Sequence, residues 1–332
     1  MTQTTADTDV ISHAIWLACR APSLHNTQPW LWTVGQNAHG NTTVELFLDH
    51  KRIVRSMDGS GRQALISCGA ALDHFRVAMS AAGWHTTVDL FPNPGQLDHL
   101  ATAEFTPAQY VTDAERDRAG AILERRTDRL PFRAPGDWDS IATVLESTVD
   151  RDLATVRALS SDARSTLAEA SRLTESFRRY DESYHDELHW WTEPFRLYQG
   201  IPQETLVSEQ ESDRVAINRT FPTKTHSDRR PEVLQDEARV LVLSTPEHSR
   251  RDALMAGQAL STVLLECTMA GLATCPLTHL TEFSESRVVI QNLLGDNGFP
   301  QVLVRVGEAP VLEAKPAATP RRPLSEVLQH RH

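Results

Sequence analysis

Gly69-Ala70-Ala71-Leu72 precedes Ala82-Gly83, and Gly257-Gln258-Ala259-Leu260 precedes Ala270-Gly271 at the same spacing, 188 residues further along the chain. Each stretch is typical of a helix that packs closely at its glycine and ends in an Ala-Gly cap. Helices of this kind are common, so chance is one explanation of the match. The other explanation is a duplication, in which two related units each contribute one long helix.

Strand-like sequence follows both copies of this pattern. Residues 100–107 (LATAEFTP) loosely match residues 303–310 (LVRVGEAP), as a duplication requires. We therefore predict two related halves fused in one chain, 1–111 and 112–332. Strands mix with long helices without regular βαβ alternation, which predicts an α+β fold with mixed or antiparallel sheets flanked by long helices.

Hydrophobic periodicity gives the rest of the element order. Helices are predicted at about 10–21, 61–83, 112–124, 160–191 and 249–270, and strands at 30–34, 43–48, 86–91, 101–105, 238–244 and 302–307, with a short helix at the end. Residues 193–235 differ, with four prolines, many charges and weak periodicity. We predict a loop-rich, lid-like insertion at about 184–230, which contains Trp190, Trp191, Phe195 and Tyr198.

Length and charge limit the kinds of partner. A chain of 332 residues has room for a sizeable core and a cofactor cavity, as one large domain or as two closely packed halves. The formal net charge of −11 and the pI near 5.7 argue against nucleic-acid binding, because that function needs many Lys and Arg side chains facing phosphates. We expect a small-molecule partner.

The start of the chain, its apolar runs and its cysteines bear on location. Residues 1–9 are polar and acidic and lack the basic start and apolar stretch of a signal peptide. No apolar run approaches the roughly 18 residues that a membrane helix needs. The four cysteines, Cys19, Cys68, Cys267 and Cys275, form no CxxC pair, and we expect reduced thiols. These features predict a cytoplasmic protein with no membrane partner.

A dense set of hydrogen-bonding side chains lies at 21–30 (APSLHNTQPW), between the first helix and the first strand. Ser23, Asn26 and Gln28 can donate and accept hydrogen bonds in the plane of a heteroaromatic ring or along a polyol. The same residue types also stabilise turns, so composition leaves a purely structural role open.

Arginines cluster in two segments, 125–129 (RRTDR) at the end of a predicted helix and 320–323 (PRRP) near the end of the chain. A guanidinium group offers a rigid fork that matches phosphate oxygens, and Thr127 adds a hydroxyl donor. The alternative is a solvated basic helix end that complements the helix dipole.

Residues 271–279 (GLATCPLTH) run from a helix cap into a predicted loop. Pro276 makes the chain rigid there, so the loop can point a backbone N–H group at a cofactor. No motif places a base beside Cys275, and a small buried thiol is the better interpretation of this residue.

Two stretches of sequence partly match known binding motifs but lack other features that those motifs require. Residues 58–64 (DGSGRQA) match a G-x-G-x-x-A dinucleotide fingerprint, but no strand ends just before them, and we favour helix capping by Asp58 or Ser60. In 185–189 (HDELH) two histidines have a zinc-ligand spacing, but Glu187 is not where a zincin requires it. We predict a solvated helix face there and no metal site.

Four of these segments, APSLHNTQPW, RRTDRLPF, GLATCPLTH and PRRPLSEV, together resemble motifs of the nitroreductase-like flavoproteins. The resemblance is closest to the Acg-like branch of NAD(P)H nitroreductases and covers nearly the whole chain. It implies the cofactor FMN. The residues that it implies are Arg125, Arg126, Thr127, Arg129, Arg321 and Arg322 at the phosphate, Ser23, His25, Asn26 and Gln28 at the flavin ring or ribityl chain, and Pro276, Leu277 and Thr278 along the ring near N5.

The order of the motifs implies a particular architecture. In ordinary members of that family the arginine motif comes first, and the flavin sites lie between the subunits of a homodimer. Here the order is reversed, which implies a fused pseudo-dimer that holds one FMN and is sufficient as a monomer. The implied activity is hydride transfer from NAD(P)H to flavin N5, followed by two-electron reduction of a small nitroaromatic or quinone.

The resemblance leaves two other functions open. Thr278 and His279 stand where ordinary members often have two small residues, and a lid-like insertion is itself a feature of the Acg-like branch. Both features narrow access to the flavin, so one alternative is a catalytically silent protein that stores or sequesters FMN. The other is a structural relic whose cavity binds no flavin.

Overall fold

The computed structural model describes residues 6–193, 198–222, 227–310 and 317–331. Phe195, which the sequence places in the predicted insertion, lies outside these ranges. The strands are β1 (Trp30–Gln36), β2 (Thr42–Leu48), β3 (Trp84–Leu90), β4 (His99–Pro107), β5 (Thr155–Ala158), β6 (Arg239–Thr245), β7 (Ala273–Leu277), β8 (Phe299–Gly307) and β9 (Leu328–His330). The helices are α1 (Thr8–Ala18), α2 (Arg62–Ala81), α3 (Asp113–Glu124), α4 (Trp138–Thr148), α5 (Ala163–Arg178), α6 (Glu182–Thr192), α7 (Glu209–Asp213), α8 (Arg250–Met269), α9 (Ser284–Leu294) and α10 (Leu324–Val327). None of these helices is both long and apolar enough to cross a membrane.

The two sheets share one strand order. The first sheet runs β3-β4-β2-β1, with β9 added beyond β1, and the second runs β7-β8-β6-β5. All neighbouring strands are antiparallel except β1 and β9. Each sheet also has one long helix between its second and third strands, α2 in the first sheet and α8 in the second. The predicted α+β class is confirmed, and the division into two related halves stays a prediction with which the shared order agrees.

The two long helices cross at the repeated glycines. A methyl group added at Gly69 would lie 2.0 Å from the backbone oxygen of Leu254, and one added at Gly257 would lie 2.1 Å from that of Ile66. Real Cβ atoms essentially never approach another atom to less than 3.0 Å, so only glycine permits this crossing. The repeated pattern therefore marks the contact between the central helices of the two sheets.

Several predicted elements are confirmed and others are corrected. The hairpin predicted at 30–34 and 43–48 is β1 and β2, paired in antiparallel fashion. The loop predicted at 271–279 is wrong in its middle part, where residues 273–277 form β7. Pro276 is tolerated there because β7 is an edge strand, where a missing N–H group need not break a ladder. The helix predicted at 160–191 is two helices, because Asp181 caps a new start by accepting from the backbone N–H of Tyr184 at 3.0 Å.

The N-cap position of α2 is Gly61, and the side chain of Asp58, which the sequence favours as a cap, binds N–H groups of the first turn. Its carboxylate accepts hydrogen bonds from the backbone N–H groups of Gln63 and Ala64, both at 2.9 Å. The carboxylate is buried, and burial raises its pKa to about 6 in spite of these two bonds. A protein side chain thus occupies the helix end that a dinucleotide fingerprint would offer to a pyrophosphate.

The end of the chain returns to the first sheet. The short strand β9 pairs in parallel with β1, and the preceding residue Val327 is fully buried. Ahead of that strand, the side chain of Arg321 donates from Nε to the carbonyl of Cys19 at 2.8 Å. The tail therefore lies across the C-terminal end of α1, beside the segment 21–30.

Residues of the predicted insertion pack on loops of the first sheet. An apolar cluster contains Val54, Met57, Tyr184, Leu188, Ile201, Leu206 and Phe221. Glu187 accepts from the backbone N–H of Ser56 at 2.9 Å, and Gln28 Nε2 donates to the carbonyl of Tyr198 at 2.7 Å. These contacts hold the parts of the insertion that the structure describes next to the segment 21–30.

Candidate functional site

Two adjoining cavities lie where three of the segments quoted above meet: 21–30, 125–129 and 271–279. The wide cavity encloses about 730 Å³ of empty space and the arginine cavity about 500 Å³, with the open mouths included. Four residues line both cavities: Pro22, Ser23, Thr127 and Arg129. The two cavities therefore adjoin each other along these four residues.

Most of the residues predicted for the site line these cavities. The wide cavity has Ser23, His25, Thr127, Arg129, Pro276, Leu277 and Thr278 in its wall. The arginine cavity has Ser23, Asn26, Arg125, Arg126, Thr127, Arg129 and Arg321. Gln28 and Arg322 line neither cavity.

The segment that begins at Ser23 has an unusual backbone. His25, Asn26 and Gln28 have φ angles of 47°, 58° and 52°, in the left-handed region that residues other than glycine rarely occupy. Ser23 Oγ accepts from the backbone N–H of Gln28 at 3.0 Å, and Asn26 Nδ2 donates to the carbonyl of Pro320 at 3.1 Å. Backbone strain of this kind persists where the surrounding contacts fix it, and here it coincides with the cavity wall.

Two buried histidines line the wide cavity. Neither ring nitrogen of His25 has a hydrogen-bond partner in the described part of the chain. His279 Nε2 lies 2.8 Å from Ser171 Oγ, and its Nδ1 has no partner there either. Burial lowers the pKa of both rings well below the ordinary value, and the nearby charge of Arg219 lowers both further. Both rings are therefore neutral near pH 7 and can exchange hydrogen bonds with a ligand.

Five arginines surround the arginine cavity: Arg20, Arg125, Arg126, Arg129 and Arg321. Other arginines form ion pairs, such as Arg305 with Asp236 at 2.6 Å, but none of these five pairs with a carboxylate of the residues that the structure describes. Like charges gathered without a counter-ion repel each other and disfavour their own charged forms. The cavity is therefore suited to an anion.

Arg125 has the clearest need for an acceptor. The residue is 5% exposed, and its Nη2 donates to the carbonyl of Arg20 at 3.2 Å. Its Nε and Nη1 have no partner among the described residues. Burial, and then the charges of Arg126 and Arg20, lower the pKa of Arg125 to about 10. Because a buried donor without an acceptor costs about 1–3 kcal/mol, this side chain fits an oxyanion ligand.

The resemblance implies that Arg321 contacts the phosphate, but its N–H donors bind backbone carbonyls. A guanidinium group has five N–H donors, and those of Arg321 reach five backbone carbonyls, of Cys19, Arg20, Ala21, Thr319 and Pro320. Burial, followed by the charges of Arg20 and Arg125, lowers its pKa well below the ordinary value. In this arrangement Arg321 caps the end of α1 and offers the cavity its charge, with no hydrogen-bond donor to spare.

Arg322 and Gln28 lie outside the cavities because nearer partners bind their polar groups. The guanidinium of Arg322 is 3.7 Å from Asp49 Oδ2 and 3.2 Å from Glu326 Oε2. Its backbone N–H donates to Gln28 Oε1 at 2.8 Å, and Gln28 Nε2 donates to the carbonyl of Tyr198. Both residues therefore fix the tail and the insertion against the segment 21–30.

The end of β7 joins the two cavities into one site. The backbone N–H of Asp128 donates to the carbonyl of Thr274 at 2.9 Å, which places the arginine segment beside the strand. Pro276 and Leu277 end the strand at the wall of the wide cavity, and the hydroxyl of Thr278 donates to Gln63 Oε1. The wall predicted for a ring and the arginine segment predicted for a phosphate are thus adjacent.

Among the lining residues that sequence reasoning missed are Arg20, Gln63, Arg219 and Phe221. Arg20 directly precedes the segment 21–30, and that position is the one signal that the sequence offered. Gln63 lies in the stretch 58–64, which the sequence assigns to helix capping rather than to a ligand site. The other two lie in the predicted insertion, where Phe221 stacks on Arg129 with 5.0 Å from the guanidinium carbon to the ring centre.

Comparison with known proteins finds relatives that match the chain over nearly its whole length. No protein-family model matches it. The chain is 53% identical over 331 residues to "Putative NAD(P)H nitroreductase acg" of Mycobacterium tuberculosis (strain ATCC 25618 / H37Rv), which covers 100% of this chain and 98% of the relative. It is 36% identical to "Putative NAD(P)H nitroreductase Rv3131" of the same strain, over 97% of this chain and 92% of that one. A solved structure of the FMN-dependent nitroreductase NfnB from Mycobacterium smegmatis in complex with NADPH is similar at 22% identity and a TM-score of 0.40, over 66% of this chain and 100% of that one.

Identity of this extent over the whole length defines the class of protein. The chain is an α+β protein that belongs to the nitroreductase-like family, together with acg of M. tuberculosis. The resemblance carried by the four motifs is confirmed.

Proposed function

We propose that this protein binds FMN and carries two electrons from NAD(P)H to a small acceptor, a nitroaromatic or a quinone. The proposal rests on the five arginines, which have no carboxylate partner among the described residues and adjoin a cavity whose wall includes neutral hydrogen-bonding side chains. A phosphate monoester joined to a flat heteroaromatic ring needs this combination. The names of the M. tuberculosis relatives support the same choice.

The residues of the arginine cavity fit the phosphate and ribityl parts of FMN. Arg125 and Arg126 have buried donors without described partners, which a phosphate would accept from. Arg20 and Arg321 add positive charge. The carbonyl oxygen of the Asn26 side chain is also buried, with no partner in the part of the chain that the structure describes, and can accept from a ribityl hydroxyl. We do not include Gln28 or Arg322 among the residues that contact the cofactor.

The wide cavity would hold the flavin ring. When bound, FMN supplies two-electron chemistry at N5 of its ring, and the protein supplies orientation and charge. In this arrangement the Pro276 to Thr278 segment forms one wall and limits how the ring can lie. His25 and His279 can hydrogen-bond a ligand as neutral groups, because their pKa values are too low for a lasting positive charge.

A second candidate function is FMN storage without turnover. The predicted insertion contributes Asn218, Arg219 and Phe221 to the wall of the wide cavity. Hydrogen bonds from Gln28 to Tyr198 and from Arg52 to Gln199 fasten neighbouring residues of the insertion to the first sheet. If these contacts persist in solution, NAD(P)H cannot reach the ring.

Anaerobic reduction separates the two functions. We expect the FMN-loaded protein to show flavin absorbance bands that NADPH bleaches, since the proposed enzyme admits the nicotinamide to its cavity. Dithionite serves as the control for a reducible flavin. Bands that persist with NADPH and bleach with dithionite would favour storage. A protein that shows no flavin bands after soaking with FMN would contradict both functions.

A further inference from the structure

The wide cavity carries charge of one sign. Arg129 and Arg219 line it, and no Asp or Glu side chain does so among the residues that the structure describes. The two histidines of the same wall are neutral. A ligand in this cavity therefore meets two cations and no fixed negative charge.

Arg219 is held firmly in place. The residue is 5% exposed, and its Nη2 donates to Glu282. Its Nη1 lies 3.3 Å from the hydroxyl of Tyr184 and 3.8 Å from Met57 Sδ. Burial alone would lower the pKa of Arg219, but the Glu282 carboxylate more than offsets burial and raises it. Arg219 is therefore a permanent cation in a fixed position.

Glu282 acts as an anchor behind the cavity wall. Its side chain is 2% exposed and does not line the cavity. Besides Arg219 it accepts from Arg178 at 3.2 Å and from Gln63 at 3.2 Å, so its oxygens are already shared among three donors. This anchor leaves Arg219 Nε as a donor without a described partner.

The two cations of the wide cavity have different positions. Arg129 also lines the arginine cavity, so it belongs with the groups that would hold the phosphate end of FMN. Arg219 lines only the wide cavity and belongs to the predicted insertion. Arg219 therefore lies outside the group of arginines that would hold the phosphate, and it shares its charge with Glu282.

We propose that Arg219 is a specificity-determining residue, and that the second ligand of the wide cavity is an aromatic compound that carries an anionic group such as a carboxylate. The proposal rests on the proposed function, since a second ligand is one that binds beside FMN. A carboxylate gains the fixed charge and the Nε donor of Arg219. A cationic compound of the same shape is rejected by repulsion, which is how charge creates specificity.

Two probes of equal shape test the proposal. We would titrate 4-nitrobenzoate and the neutral 4-nitrobenzamide into the FMN-loaded protein without NADPH, and follow the change in the flavin visible band. We expect the carboxylate to bind about tenfold more tightly than the amide, which corresponds to about 1.4 kcal/mol. Because no turnover is needed, the measurement is independent of activity.

Substitutions test whether the preference for 4-nitrobenzoate comes from Arg219. In Arg219→Gln we expect the two affinities to become equal, whereas Arg219→Lys keeps the charge and part of the preference. Glu282→Gln loosens the anchor, and we expect an intermediate preference. Arg157→Gln removes the same charge from a side chain that is 59% exposed and lies outside both cavities, so we expect it to behave as the native protein.

The outcomes separate this proposal from the proposed function. A native protein that binds both probes equally, or an Arg219→Gln variant that keeps the full preference, overturns the role of Arg219 while FMN binding stands. An Arg219→Gln variant that binds FMN more weakly but keeps the preference for the carboxylate would show that Arg219 contacts the cofactor. That result also overturns the role of Arg219 in specificity. If the native protein retains no FMN, the proposed function fails, and the same titration read by ligand-observed NMR still measures the preference of the cavity.

Discussion

We expect Gly257→Ala to lower the free energy of unfolding by about 3 kcal/mol or more, and to prevent folding if the native protein is marginally stable. The added methyl group would lie 2.1 Å from the backbone oxygen of Ile66 and 2.9 Å from the backbone nitrogen of Ala70. Both atoms belong to α2, so no side chain can move aside, and the two central helices must separate. Their separation would open the core between the two sheets.

A glycine in another helix provides the control. Gly120 lies in α3, and a methyl group added there meets nothing within 4 Å. We expect Gly120→Ala to leave stability unchanged or to raise it by about 0.5–1 kcal/mol, because alanine restricts the unfolded chain. Urea unfolding of the native protein and both variants measures the difference. Equal midpoints for Gly257→Ala and the native protein would mean that the helices do not cross this closely in solution.

The same glycines show how far the sequence could predict the fold. Their spacing predicted two similar helices, because a close-packing glycine and an Ala-Gly cap leave a local signature. The contact between those helices depends on how the two sheets are placed in space, and no local pattern contains that information. The parallel pairing of β9 with β1 could not be read for the same reason, since its strand has three residues and its partner lies near the other end of the chain.

The sequence likewise predicted one part of the candidate site and could not predict another. The residue types at 21–30, 125–129 and 271–279 predicted a phosphate and ring site, and the structure brings those segments together. The destination of each guanidinium group could not be predicted, because it depends on which carbonyls and carboxylates lie within reach. Arg321 and Arg322 are neighbours with identical chemistry, yet one binds backbone carbonyls beside the cavity and the other lies by Asp49 and Glu326. Arg219 was missed because the predicted insertion has no periodicity from which its position could follow.

We expect Arg125→Gln to weaken FMN binding about 100-fold, which corresponds to about 2.7 kcal/mol. Arg125 has two buried donors without described partners, and a phosphate dianion would satisfy both. Glutamine keeps polarity but removes the positive charge and the fork geometry that two phosphate oxygens require. Quenching of FMN fluorescence measures the affinity. Arg116→Gln, which removes an equal charge from an exposed pair with Asp113, is the control and should bind FMN as the native protein does.

The same substitution should have the opposite effect when FMN is absent. The pKa of Arg125 is lowered to about 10 because burial, Arg126 and Arg20 all oppose its charge in the folded protein. Loss of that charge relieves the repulsion, so we expect the FMN-free variant to unfold at an equal or higher urea concentration than the FMN-free native protein. Saturating FMN should stabilise the native protein far more than the variant, because stabilisation by a ligand grows with its affinity. A variant that is less stable without FMN and binds FMN normally would show that Arg125 supports the fold, and the phosphate would then have to be held by other arginines of the cavity.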